Sequence, residues 1–237
     1  MEIEALRLTS TPTEPGTVRP PSAICVDVAG ETLWLLPELA AFWPARGTLF
    51  VADAHIGKAA AFRAAGIAIP AGTTASDLAR LSRLIAQLGA ARVAFLGDLL
   101  HSRQGRQPRT LDAFRTWRAR HAGVEMVLVR GNHDRHAGDP PGEWRIVCMD
   151  QPVVIGAFAL CHDPQPVAGQ YVLAGHVHPA VRLKGRGRDR ARLPCFVLRR
   201  SHALLPAFGG FTGTYTLAPE SGDRVYVVAD DSVVPAR

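Results

Sequence analysis

Seven residues able to bind a metal recur just past the ends of apolar runs in this 237-residue chain. Leu49–Ala52 runs into Asp53-Ala54-His55, and Arg92–Leu96 into Gly97-Asp98. Glu125–Val129 leads to Gly131-Asn132-His133-Asp134, residues 157–160 to Cys161-His162-Asp163, and Tyr171–Leu173 to Gly175-His176-Val177-His178. Asp53, His55, Asp98, Asn132, His162, His176 and His178 offer oxygen and imidazole donors without a thiolate. That set suits Mn, Fe or Zn in a reactive site rather than a structural zinc held by cysteines. Seven ligands exceed the needs of one open catalytic ion. They suit two ions sharing a bridging carboxylate, an arrangement that clamps the attacking and leaving oxygens of a phosphate. Two divalent ions against Asp53 and Asp98 leave a net charge of about +2 before a bridging hydroxide binds, which favours an anionic phosphate ester.

Such residues meet only if strands deliver their loops to one edge. Lys58–Ala65, residues 74–88 and Thr110–His121 have helical character. In 74–88 the apolar positions Leu78, Leu81, Leu84, Ile85 and Leu88 mark one helix face. Between them stand the buried strands 49–52, 92–96 and 125–129. This βαβα alternation predicts a parallel sheet, whose ligand sites lie at the carboxyl ends of strands. Pairs at i and i+2 on an extended segment, Asp53 with His55 and His176 with His178, would share a face. Glycines at 97, 131 and 175 would let the backbone turn sharply there.

Ahead of this region, Ile24–Val28 and Thr32–Leu36 flank Ala29-Gly30-Glu31 as a hairpin. Beyond it the helical period disappears. Arg145–Met149, Val153–Leu160, Tyr171–Leu173, Ala180–Leu183, Cys195–Leu198, Ala203–Leu205 and Val225–Val228 read as strands of a second sheet packed on the first. The expected organisation is a flexible N-terminal leader over residues 1–22 and one α/β sandwich domain over 23–237.

Composition narrows the function classes. A chain 47% hydrophobic and 20% charged is not disordered. No apolar run approaches the ~18 residues of a membrane helix, and the first twenty residues lack a signal-peptide core. Cys25, Cys148, Cys161 and Cys195 form no CxxC pair, which fits reduced thiols in a cytoplasm. Three of them, Cys25, Cys148 and Cys161, lie in apolar runs and read as small core residues. The four tryptophans also have apolar neighbours and read as core. Residues 182–200 hold eight basic residues and one acid, a net of +7 against +6 for the whole chain. Residues 101–120 add six arginines against Asp112. Charge gathered in two stretches suggests a basic surface. Arg182, Lys184, Arg186 and Arg188 follow His178 closely and are candidate nucleic-acid contacts. His101 and Lys58 are further candidates for touching a phosphate.

The motifs DxH, GD, GNHD, H and GHxH, in that order, resemble the calcineurin-like metallophosphoesterases over residues about 48–183. The resemblance implies a double β-sandwich flanked by helices. It also implies that Asp53, His55 and His178 hold one metal, that Asp98 bridges, and that Asn132, His162 and His176 hold the second. His133 would lie over the phosphate as general acid after attack by a bridging hydroxide, with Asp134 orienting it. Four further stretches resemble the PdeM-type endonucleases associated with DNA damage response ligases: Asp53–Lys58, Gly66–Thr74, Gly97–Ser102 and Leu205–Gly213. They extend the resemblance back to about residue 24; Thr214 stands where that family has glycine. The family implies Mn2+ (with Fe or Zn as alternatives), single-stranded DNA as substrate, and repair ligase and helicase as associates. A small-molecule phosphodiesterase or phosphatase acting on nucleotides or cyclic nucleotides is the competing expectation. A non-catalytic scaffold fits poorly, because every ligand position is filled.

Overall fold

The computed structural model describes residues 18–69, 72–184 and 190–236. The expected hairpin is formed by β1 (Ile24–Val28) and β2 (Glu31–Leu36), closed by Ala29 and Gly30 at φ 54° and 79°. There follow β3 (Ala40–Trp43), β4 (Thr48–Val51), α1 (Lys58–Ala64), α2 (Thr73–Leu88) and β5 (Arg92–Leu96). After these come α3 (Pro108–Arg120), β6 (Glu125–Val129), α4 (Asn132–Ala137) and β7 (Val147–Met149). Strands β1 to β7 make one sheet in sequence order, antiparallel from β1 to β4 and parallel from β4 to β7.

The second half is the expected β-rich sheet with two corrections: the expected strand Arg145–Met149 is shortened to β7 and joins the first sheet by pairing parallel with β6, and another expected strand is divided. Residues 153–160 are two strands, β8 (Val153–Ile155) and β9 (Phe158–Cys161), because Gly156 at φ 60° folds the run into a hairpin pairing Ile155 with Phe158. The remaining strands are β10 (Tyr171–Ala174), β11 (Pro179–Lys184), β12 (Arg190–Leu198), β13 (His202–Leu204), β14 (Tyr215–Thr216), β15 (Arg224–Ala229) and β16 (Ser232–Pro235). The sheet runs β14-β11-β12-β13-β10-β9-β8, with β15 joined to β12 and β16 to β15.

Period-two alternation divides the strands between two apolar layers. On β4 and β5, Phe50, Ala94 and Leu96 face the second sheet, where they meet Phe158, Leu160, Leu173, Phe196 and Leu198. Leu49, Val51, Val93 and Phe95 face outward under α2 and α3, against Leu81, Leu84, Leu88, Phe114 and Trp117. All four tryptophans are buried as expected. Cys161 and Cys195 are buried, but Cys25 is exposed, because on β1 the alternation turns Cys25 and Asp27 outward while Val26 and Val28 point in.

Of the expected leader, residues 1–17 lie outside the described residues, and residues 20–22 are tied to the fold. Pro20 is buried, its carbonyl accepting from the Ala23 amide at 3.0 Å, and Ser22 accepts from Val233 at 3.4 Å. Among the described residues no helix is long and apolar enough to cross a membrane.

The layer between the sheets centres on Phe158, fully buried with its ring edge-on to Trp43 at 4.8 Å and to Phe50 at 6.3 Å. Phe158→Ala should therefore lower unfolding stability by about 3–5 kcal/mol in urea titrations, the usual cost of such a cavity. A loss under 1 kcal/mol would mean that the layer closes over the gap.

Candidate metal centre

The parallel strands β4, β5 and β6 and the second-sheet strands β9 and β10 end at the same rim of the sandwich, and all five expected motifs leave from there. Their backbones are not extended, as the i and i+2 pairing assumed. Asp53, His55, Asp98, His176 and His178 all take positive φ, between 45° and 66°. Side chains other than glycine pay about 1 kcal/mol or more for this conformation, so the surrounding contacts must enforce it. The amides of Asp53 and His55 donate to the carbonyls of Gly97 and Asp98, at 3.2 and 2.8 Å, which locks two of the kinked loops together.

What these loops bring together is a set of lone pairs. His162 Nδ1 lies 3.1 Å from the Leu96 carbonyl, which can only accept, so Nδ1 carries the proton and Nε2 is bare. That bare nitrogen faces Asn132 Oδ1 at 2.9 Å, His176 Nδ1 at 3.0 Å and Asp98 Oδ1 at 3.6 Å. In the other half, His178 Nδ1 sits 3.1 Å from the Gly213 carbonyl, leaving Nε2 bare at 3.3 Å from Asp53 Oδ1. Asp53 Oδ1 and His55 Nε2 are buried without a hydrogen-bond partner. Asp98 stands between the halves, Oδ1 toward His162 and Oδ2 3.8 Å from His55 Nε2. Acceptors aimed at acceptors, and orphaned when buried, are the arrangement a cation relieves. The residues therefore fit divalent metal, in the overlapping groups Asp53–His55–His178 and Asp53–Asp98–His162, with His162–Asp163–His176 at the outer edge. Asp163, which follows His162 directly, lies 3.5 Å from His176 Nε2 and can hold that ring.

Electrostatics prepare the donors. Burial, followed by Lys58 and the neighbouring histidines His133, His178 and His101, lowers the His55 pKa to about 2, so its imidazole meets a metal without proton competition. Burial also raises the carboxyl of Asp98, against the opposing pull of His162. Burial lowers the Lys58 ammonium, which feels both Asp53 and Asp98 and so stands within electrostatic reach of the centre.

The Leu205–Gly213 stretch, opaque as sequence, proves to be a strap across the first metal loop. Phe208 and Gly209 donate to the carbonyls of Ala52 and Asp53, at 2.8 and 3.2 Å, and Gly213 orients His178. Arg80 of α2 fastens the strap, stacking on the Phe208 ring at 4.0 Å and donating to the Phe208 carbonyl. Asp77 accepts from Arg80 and from the Gly210 amide, both at 3.1 Å.

His133 and Asp134 part company in the structure. The His133 amide donates to Asp98 Oδ1 at 2.9 Å, and its Nδ1 faces the His101 carbonyl at 2.7 Å, so Nε2 projects toward the centre, 4.0 Å from Asp98 Oδ2. Asp134, expected to orient His133, instead accepts from the Leu100 and Gly131 amides at 2.9 and 3.0 Å. It caps α4, whose third position it occupies, and burial raises its pKa to about 6. The orienting group is His101, whose ring also stacks on His133 at 4.8 Å.

The motif glycines serve space more than turning. Only Gly97 has positive φ. A Cβ on Gly97 would lie 2.1 Å from the His162 ring, one on Gly131 2.2 Å from Asp98 Oδ1, and one on Gly175 2.5 Å from Asp53 Oδ2. Each glycine leaves room for a ligand from a different loop.

The two basic stretches separate likewise. In 101–120, Arg106 donates to the carbonyls of Ala137, Gly138 and Asp139 at the end of α4, Arg103 to that of His136, and Arg118 to those of Trp144 and His121. Arg115 pairs with Asp112. Arg103, Arg106 and Arg118 hold the fold together, Arg115 makes only an exposed pair within α3, and Arg109 and Arg120 are left. In the second stretch, Arg182 is exposed on β11, Lys184 ends that strand, and Arg186 and Arg188 lie outside the described residues.

No protein-family profile and no curated protein matches the chain. Among solved structures, the Pseudomonas putida nuclease MPE is 47% identical over 90% of this chain and 100% of its own, with a TM-score of 0.80. The phosphoesterase YfcE from E. coli is 15% identical over 79% of this chain and 96% of its own, with a TM-score of 0.39, too loose to bear on the fold.

Gly131 isolates the effect of space, since its φ of −91° suits any residue. Gly131→Ala should displace the Asp98 carboxylate and weaken Mn2+ binding, followed by calorimetry, by about 10–100-fold, the usual range for disturbing a ligand's support. Gly123→Ala, where a Cβ meets nothing within 4 Å, is the control. Equal affinity in both variants would show that the glycine makes no room for the ligand.

Proposed function

The chain belongs to the metallophosphoesterase family of the Pseudomonas putida nuclease, and we propose that it is an endonuclease cutting single-stranded DNA at a binuclear metal centre. The observation that carries this reading is the double cluster of bare acceptors split by Asp98. Asp53, His55 and His178 would hold one ion and Asn132, His162 and His176 the other, with one oxygen of Asp98 directed to each. When bound, the ions polarise the phosphoryl oxygens and lower the pKa of the attacking water. Mn2+ suits the mixed oxygen and imidazole donor set.

The chain's own contribution to the second half of the reaction is a proton. As the phosphorus gains the water oxygen, its bond to the leaving sugar oxygen breaks and that oxygen becomes an alkoxide. His133 Nε2 donates the proton that neutralises it, while Nδ1 stays anchored to the His101 carbonyl. Solvent returns the proton to Nε2. The half-buried Lys58 adds positive charge on the same side and favours the anionic diester. A role in DNA repair beside ligase and helicase, in the cytoplasm, belongs to the same reading and rests on the family resemblance, together with four free cysteines.

Incision of circular single-stranded DNA tests the substrate, because no exonuclease can begin on a circle. Mn2+-dependent conversion to linear product, abolished by chelator, is expected. Hydrolysis of a bis-aryl phosphodiester without any incision would assign the centre to small molecules instead. His133→Ala should slow DNA cleavage by about 10²–10⁴-fold, the usual contribution of a positioned acid. Diesters with very acidic leaving groups should suffer less, since their alkoxides need no proton. Equal losses across leaving groups would remove His133 from the acid role.

A further inference from the structure

The β11–β12 ribbon begins immediately after the metal ligand His178, and its register produces an arrangement that the linear sequence hides. Arg182 pairs directly with Arg192, and Lys184 holds the position opposite Arg190. Cations directly across a ladder repel. Arg182, Arg190 and Arg192 are all exposed, and among the described residues none has an acidic partner. An anion lying along such rungs would relieve that repulsion.

Strand parity shows which way the rungs face. On β12, Cys195 and Val197 belong to the outer apolar cluster of the second sheet, and Leu193 and Val181 of the ribbon pack there too. The alternate positions Phe196 and Leu198 belong to the layer between the sheets. Counting back by twos, Arg192 and Arg190 continue this inner face, and Arg182 shares it as the cross-strand neighbour of Arg192. Register gives the height. Ala174, the last residue of β10 before the metal loop, is level with Leu204 and so with Val197. Arg192 lies five residues beyond that level on the metal side, about 16 Å at the rise of a strand. Inner-face cations that extend past a rim carrying metal ligands from both sheets overhang the metal centre.

We infer that the β11–β12 ribbon is a cationic arm that grips the phosphate backbone of the single strand on one side of the cut, with Arg182 and Arg192 as its central rung. This rests on the reading of the centre as a DNA endonuclease and adds the surface that holds the polymer. The occupant is a polyanion of regular charge spacing. An extended strand lets successive phosphates meet successive rungs, which a small diester cannot do.

The test pairs Arg182→Gln with Arg192→Gln in the full chain and compares binding of a single-stranded oligonucleotide with turnover of a bis-aryl phosphodiester. The double variant should bind the oligonucleotide at least about tenfold more weakly at low salt, and its log–log salt slope should flatten by about 1.4 for two lost contacts. Turnover of the small diester should stay within about twofold of the parent. The melting temperature without DNA should hold or rise, because the repelling rung has gone, and Arg182→Lys with Arg192→Lys should restore most binding. If the parent cuts DNA and the double variant binds and cuts it equally well, the arm is refuted while the endonuclease reading stands. Equal loss on both substrates also refutes it, since the arginines would then act on the centre itself. If the parent turns over the small diester but neither binds nor cuts DNA, the endonuclease reading fails and the arm with it.

Discussion

Lone pairs that point at one another repel, and the rim of this sandwich gathers them. His162 Nε2 faces Asn132 and His176, while His178 Nε2 faces the orphaned Asp53 oxygen. Without a cation this assembly opposes folding, so everything around it must hold it in place. Five of the candidate ligand residues sit in the left-handed region, and three glycines leave space for side chains from other loops. Backbone carbonyls of Leu96, Gly213 and His101 each take an Nδ1 proton and so fix which nitrogen looks inward. Local strain concentrated at one rim, supported by a rigid double sheet, is how a fold keeps a reactive geometry ready.

Much of this was legible in the sequence, for reasons that can be stated residue by residue. The buried strands 92–96 and 125–129 coincide with β5 and β6, because continuous apolar runs ending at Gly-Asp or Arg-Gly leave little choice of boundary. That these candidate ligands gather at one rim was legible because chemistry restricts which residue types can serve. What stayed hidden was relational. The capping role of Asp134 depends on where the Leu100 amide comes to rest, 34 positions away. β3 escaped notice because all four of its residues are buried, so no alternation marks it. The short α4 was equally silent, since its six residues include the metal and acid motif itself.

The arginines show the limit of counting charge. Two stretches of similar basicity make different contacts, and only their partners tell them apart. Arg103, Arg106 and Arg118 spend their donors on backbone carbonyls, where the guanidinium fork can serve several acceptors at once. Those of the ribbon have no such acceptors among the described residues, and cross-strand register rather than composition sets them apart.

The strap from Leu205 to Gly213 has a consequence for the order in which the protein comes into being. Every candidate metal-binding side chain lies between Asp53 and His178, yet His178 is aimed by the carbonyl of Gly213, and the Asp53 loop is pinned by Phe208 and Gly209. A chain emerging from the ribosome therefore presents all its ligands some thirty-five residues before the piece that sets them, since Gly213 follows His178 by that interval. Competence arrives late in synthesis, after the whole first sheet and most strands of the second have been made. For a protein whose family includes a nuclease, a half-made copy is a poorly armed one.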